Sequence, residues 1–293
     1  MRNKSGKLLR RILIALAAVV VILLVVAWLL INPLAKAGVE RGAGYALDVD
    51  TRMDRMDVKL FRGQVVMDGL QSANPEGFDS PHFYRSGQFD IKLRGGTVLS
   101  DPMELEHFVL NGLDLNVEQK LTGSNVSKIL ENLRRFEKEK PDEAEKKPGK
   151  RLKINRIEIR DVVAHFHIPG MREIAVNLPV VELEDVTMGE EGGVPVSELV
   201  ARILPAVLAA VLEQGRDVLP AGTIDDLSGQ LEQTAAAMGD RSRELISQAG
   251  GELGTAIKES AGKLGEDITE QSGRSMEDLL RGPAEDEQDA NGE

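Results

Sequence analysis

His165 and His167 stand two apart in a segment with strand-like alternation, and residues two apart in a strand share a face. Two imidazoles could begin a metal site. The chain has no cysteine, and the nearest acids, Glu158 and Asp161, lack ligand-like spacing, so the pair reads as a solvated strand face. His107 beside Glu104 and Glu106 reads the same way. Asp54 and Asp57 are paired carboxylates, but acid–base work needs a buried cleft that shifts their pKa values. In a chain with 48 acids such pairs are common. No nucleophile elbow, glycine-rich phosphate loop or HExxH sequence occurs. These residues lead us to expect no catalysis, no cofactor and no metal.

The elements that carry these residues begin with an address. Ile12 to Ile31 is an uncharged run, ILIALAAVVVILLVVAWLLI. At ~1.5 Å per residue such a helix spans ~30 Å, one bilayer core. Arg2, Lys4, Lys7, Arg10 and Arg11 precede it without an acid, which predicts an N-in anchor with everything from about Asn32 across the membrane. Trp28 falls near the outer end, where amphipathic rings are favoured. Ala35-Lys36-Ala37 also fits a small-x-small cleavage pattern. The run is longer than the ~7–15 apolar residues of a cleaved signal, so an uncleaved anchor is the expectation.

The chain has 293 residues and a net charge of −12; the basic flank holds +5, which leaves −17 from Ile12 onward. So acidic a body is unsuited to nucleic acid, whose phosphates require Lys and Arg. It should also be repelled by anionic headgroups, leaving membrane proximity to the anchor alone. Aromatic residues make up only 3% of the chain, which limits the core it can build.

The predicted organisation is a basic flank (1–11), the anchor (12–31), a β-rich module with a helix (32–136), a charged linker (137–151), more sheet (152–192), an apolar helix (195–220), a helical tail (221–282) and an acidic, disordered end (283–293). Residues 32–45 read as a short separate helix that Gly42 and Gly44 end. Phe89, Ile91 and Leu93, and then Leu113, Leu115 and Val117, alternate with polar residues, the period of half-buried strands. Val126, Ile129, Leu130, Leu133 and Phe136 form one helical stripe, with Ser124 or Asn125 as its cap. Eleven of the fifteen linker residues are charged. Leu152, Ile154, Ile157, Ile159, Phe166 and Ile168 resume the strands, then Ile174, Val176 and Leu178, with a turn at Pro169-Gly170. From Leu199 to Leu212 a helix is apolar nearly all round; Ser197 would cap it and Pro205 kink it.

Two repeats run through this plan. VVMDGLQ (65–71), FVLNGLDL (108–115), IEIRDVVA (157–164) and VELEDVTM (181–188) share alternating apolar residues broken by a polar residue with Gly or Val, the mark of a bulge or bend inside a strand. In the tail an eleven-residue unit starts at 229, 240, 251, 262 and 273, with Ala235, Ile246, Ile257, Ile268 and Leu279 at its seventh position. Eleven residues in three turns keeps an apolar stripe nearly straight along a helix. Glycine opens four of the five copies, so the helix should need a partner surface.

One local signature is specific. GLQSANPEGF (69–78) follows an anchor and a strand pair and precedes FYRSGQFDIKLRGGTVLSDPMELEHFVLNGLDLNVE and GSNVSKILENL. This order, over roughly residues 1–136, resembles the N-terminal module of the AsmA-like family of Gram-negative envelope proteins, related in architecture to chorein-type bridge-like lipid transfer proteins. The resemblance implies an α+β fold with an inner-membrane anchor, a periplasmic body and a curved antiparallel sheet whose apolar groove holds phospholipid acyl chains. Members of that family are much longer, and the eleven-residue tail is outside their pattern. On this chain the groove would be lined by Phe89, Ile91, Leu93, Leu113, Leu115, Val117, Ile157, Ile159, Phe166 and Ile168. The same residues could equally form a closed core against the Val126–Phe136 and Leu199–Leu212 helices, and closed packing is the expectation. Phospholipid handling or envelope maintenance is thus the leading functional expectation. The alternative is a structural protein whose net-negative tail binds a protein partner or a second copy.

Overall fold

The computed structural model describes residues 4–97, 100–138 and 151–281. Most of the charged linker and the acidic end lie outside those residues. The first element, α1, runs unbroken from Lys4 to Leu47 through Pro33. It is the one described helix long and apolar enough to cross a membrane, and its described side chains from Arg11 to Leu30 are all exposed. The expected stop at Gly42 and Gly44 does not occur. A Cβ at Gly42 would lie 3.2 Å from Val196 Cβ, and one at Gly44 would lie 3.1 Å from the Val49 carbonyl. These glycines allow close approach rather than termination. The helix ends at Asp48, whose φ of 52° supplies the left-handed turn.

Ten described strands form one curved, unclosed sheet: β1 (Thr51–Arg52), β2 (Arg55–Lys59), β3 (Gln64–Asp68), β4 (Gln71–Ser72), β5 (Tyr84–Leu93), β6 (Met103–Lys120), β7 (Gly123–Ser124), β8 (Leu152–Ile154), β9 (Arg156–His167) and β10 (Ile174–Glu184). The main path is β1-β4-β5-β6-β9-β10, with β2 and β3 paired beside β5. The sheet is mixed, not wholly antiparallel as expected: β8 and β9 run parallel to β6. The chain leaves β6 and crosses through α2 (Asn125–Lys138) before returning, and such a crossover delivers a parallel strand. Ser124 Oγ caps α2 by accepting from Ser127 N at 3.0 Å.

A crease crosses the sheet, and it explains the first repeat. Asn111 pairs with Gln88 and Arg160, and Leu113 with Ser86 and Val162, so Gly87, Gly112 and Asp161 share one row. Pro179 continues it in β10, between Leu178↔Val162 and Val180↔Arg160. Gly69 carries the same bend between β3 and β4. Gly69, Gly112 and Asp161 have φ of 63°, 77° and 54°. Each such residue slips the alternation by one, so apolar residues three apart reach the same face. Met67 and Leu70, Leu110 and Leu113, Ile159 and Val162, and Leu178 and Val181 are all buried. Because adjacent strands slip at the same row, register is kept on both sides. The fourth copy uses the same conformation differently: Asp185 (φ 56°) ends β10.

A helical layer covers the buried face. It holds α2, α3 (Val196–Gly215), α4 (Ala221–Ala237) and α5 (Asp240–Arg281). Helix α3 passes through Pro205; its N-cap is Pro195, and Ser197 does not serve as the cap. The eleven-residue repeat does not build one straight helix. The chain breaks between α4 and α5, and at Gly251 (φ 54°, ψ −127°) α5 turns back on itself. Lys258 and Glu244 then form an ion pair, and Gly254 packs onto the Ile246 carbonyl. The glycine that opens the third copy is therefore a hinge. Leu231, Ala235, Leu245, Ile246, Ile257 and Ala261 are buried in the body's own core. Gly229, inside α4, has open space around its Cβ position. Gly229→Ala should therefore raise stability by ~1 kcal/mol, read as a higher denaturation midpoint. No gain would mean that α4 is not helical there.

Candidate functional site

The ten groove candidates do come together. Phe89, Ile91 and Leu93 lie on β5, Leu113, Leu115 and Val117 on β6, and Ile157, Ile159 and Phe166 on β9, with Ile168 just beyond its end. Register aligns Leu115 with Ala164 and Val117 with Phe166 across the parallel pair. Nine are buried, Leu115 to 0% exposure, and Ile168 is half-buried at the margin. They share one apolar cluster with Ile129, Leu130 and Leu133 of α2 and with Val207, Leu208 and Val211 of α3. Among the described residues they therefore line a closed core, as the closed-packing expectation held, and not an open groove. Among the described residues are two clefts of about 280 Å³ each, and none of the ten residues lines either.

The most organised polar cluster was not visible in the sequence. Glu118, at the end of β6, is buried. Its carboxylate accepts from Asp79 N, Ser80 N and Ser80 Oγ at 2.9 Å, and Lys120 Nζ lies 3.3 Å away. Burial alone would raise its pKa, but the Ser80 and Asp79 amides, the Ser80 hydroxyl and Lys120 together hold it at about 2. Glu118 N in turn donates to Asn125 Oδ1 (2.9 Å), and Asn125 Nδ2 donates to Asn74 Oδ1 (2.9 Å) and to the Asn116 carbonyl (2.6 Å). Lys120 Nζ reaches the Gly77 carbonyl at 2.7 Å and stands 5.6 Å from the centre of the Phe78 ring. The NPEGF turn is thus clamped to the start of α2. The signal available in the sequence was a lone acid, Glu118, next to the alternating apolar residues of a strand and at the foot of a helix.

Three of the four histidines meet at the same end of the sheet. Asp114 lies 3.6 Å from His82 Nε2 and 3.5 Å from His165 Nε2. Glu173 is 2.7 Å from His165 Nδ1 and 3.8 Å from His167 Nδ1. The hydrogen bond from His165 lowers the Glu173 pKa. Glu158 and Asp161 take no part: Glu158 pairs with Arg160 at 2.7 Å, and Asp161 sits in the crease. No group of three or more His, Asp or Glu is arranged to hold a metal among the described residues. The network ties β6 and β9 to the following loop. Burial pushes the Tyr84 hydroxyl up to about 12, despite a hydrogen bond with Ser72, so it stays protonated at neutral pH.

Fold and site together define a mixed α+β protein with an open-edged curved sheet, a covering helical layer and one membrane-length apolar helix. No family model matches the chain, and no curated protein matches it.

Proposed function

We propose that this chain is an AsmA-like envelope protein without catalytic activity, anchored by α1 in the inner membrane with its body in the periplasm, and engaged in phospholipid handling at that membrane. The observation that carries the reading is the join between anchor and sheet. Asn32 Oδ1 accepts from Val58 N at 2.9 Å, Glu40 Oε1 accepts from Met53 N at 2.8 Å, and Asn132 Nδ2 donates to the Leu47 carbonyl at 2.7 Å. Ala43, Ala46 and Leu47 are core residues. Cleavage after Ala37 would remove Asn32 and part a helix that the sheet already grips, which supports an uncleaved anchor. The Asn74–Asn125 hydrogen bond supports the AsmA-like part, since it joins two motifs that carry the resemblance. Leu115 is fully buried beneath the helical layer, so acyl chains could reach it only if that layer moved, and the bend at Gly251 in α5 offers a place for it to open.

The closed core favours a second reading, a rigid platform that never opens. A photo-crosslinking residue at Leu115, in the full chain and in native membranes, separates the two. A phospholipid adduct at Leu115, and none at exposed Leu121, is the expected result. Crosslinks confined to the protein itself would leave the platform.

A further inference from the structure

The path of β2 along α1 sets which end of the sheet meets the membrane. Glu40 holds Met53, Lys36 Nζ reaches the Asp54 carbonyl at 3.5 Å, and Asn32 holds Val58. Strand numbers rise as helix numbers fall, so β2 runs toward the apolar run. Contact between α1 and the body begins at Ile31, and the described side chains before it are exposed. The β2–β3 connection, a 3₁₀ turn over Leu60–Arg62, lies beyond the last of these contacts. Three residues of extended chain past Val58 reach at most about 10 Å. At ~1.5 Å per helical residue that brings the tip to the last turns of the apolar run, near Trp28.

Phe61 at this tip is 99% exposed. Lys59 and Arg62 flank it, and Lys92 pairs opposite Gln64 at the same end. Leu93 N donates to the Gly63 carbonyl, which places Arg94 there too. Acids stand beside three of these cations, Glu104 by Arg94, Glu106 by Lys92 and Asp57 by Lys59, and Asp101 in the β5–β6 connection accepts from Arg151 N. An aromatic ring with flanking cations, at the height where a span leaves the bilayer, suits the headgroup region.

We propose that the Leu60–Arg62 turn is a second membrane contact, with Phe61 set among the lipid headgroups of the bilayer that α1 spans. This rests on the anchoring reading above. Two attachments, α1 and the turn, then hold the body at one fixed tilt, with the β2–β3 end of the sheet against lipid and the Lys120 end away from it.

The chain has no cysteine and a single tryptophan, so each introduced thiol is a unique label site and Trp28 reports on α1. Phe61→Cys and Leu121→Cys, each in the full chain, are labelled with an environment-sensitive dye in phosphatidylcholine vesicles. Leu121 is the matched control, 100% exposed at the opposite end of β6. Brominated phosphatidylcholine should quench Trp28 and the dye at 61 but spare the dye at 121. Quenched Trp28 with equal, water-like signals at 61 and 121 would overturn the second contact and leave the anchor standing. Unquenched Trp28 would overturn both.

Discussion

Gly87→Ala should destabilise the body by about 3 kcal/mol or more, enough to abolish a cooperative unfolding transition in a marginal domain. A Cβ at this position would stand 2.2 Å from the Asn111 carbonyl oxygen of the neighbouring strand. That oxygen belongs to backbone inside a paired ladder, so relief requires β5 and β6 to separate. These two strands lie at the centre of the sheet, and the crease they share places Phe89 and Ser86 on one face. Loss of the crease would turn one half of β5 outward, since a one-residue slip exchanges the faces of a strand. Urea denaturation of the detergent-solubilised chain, followed by circular dichroism, measures the effect. A midpoint equal to wild type would mean that the crease is absent or freely movable.

Glu118→Ala should cost about 2–4 kcal/mol, because it leaves the Asp79 and Ser80 amides and the Lys120 ammonium without their shared acceptor. The effect also carries a pH signature. The carboxyl sits at about 2 in the folded state against an ordinary 4.5. The folded form therefore binds fewer protons than the unfolded one, so stability rises with pH through this range. The stabilisation is present in full above about pH 4.5 and is lost as pH falls from there toward 2, for a total of roughly 3 kcal/mol. Glu118→Gln removes the titration with little change of volume. The stability gap between wild type and Glu118→Gln should therefore narrow steadily below pH 4.5. A gap constant from pH 7 to pH 3 would show that the carboxylate is not what holds the NPEGF turn.

The setting of Phe61 changes what the charge balance implies. A net −17 beyond the basic flank argued against electrostatic adhesion to lipid. The acids are not spread evenly, however. At the β2–β3 end Asp57, Glu104 and Glu106 each pair with a cation, and Arg62 stands beside an exposed ring. A net charge cannot show this, because proximity to a membrane depends on which end of the body faces it.

Much of the fold was legible from periodicity. The membrane-length run, the strands at 84–93, 103–120 and 156–167, and the α2 stripe all followed from apolar spacing, since local backbone geometry decides which residues share a face. The VMDGL, VLNGL and EIRDV segments also announced a bend, because Gly and Asp tolerate left-handed φ. Only the tertiary structure decided the rest. That three of these bends align in one crease depends on pairing between strands dozens of residues apart. That β8 and β9 lie parallel to β6 depends on the α2 crossover. The eleven-residue repeat was real in sequence yet folded back at Gly251, because burying its stripe on α3 required a hairpin and not a rod. Whether the apolar face was groove or core was undecided by alternation alone: a buried strand face has the same pattern whatever covers it, and here it is buried in one core with the helical layer.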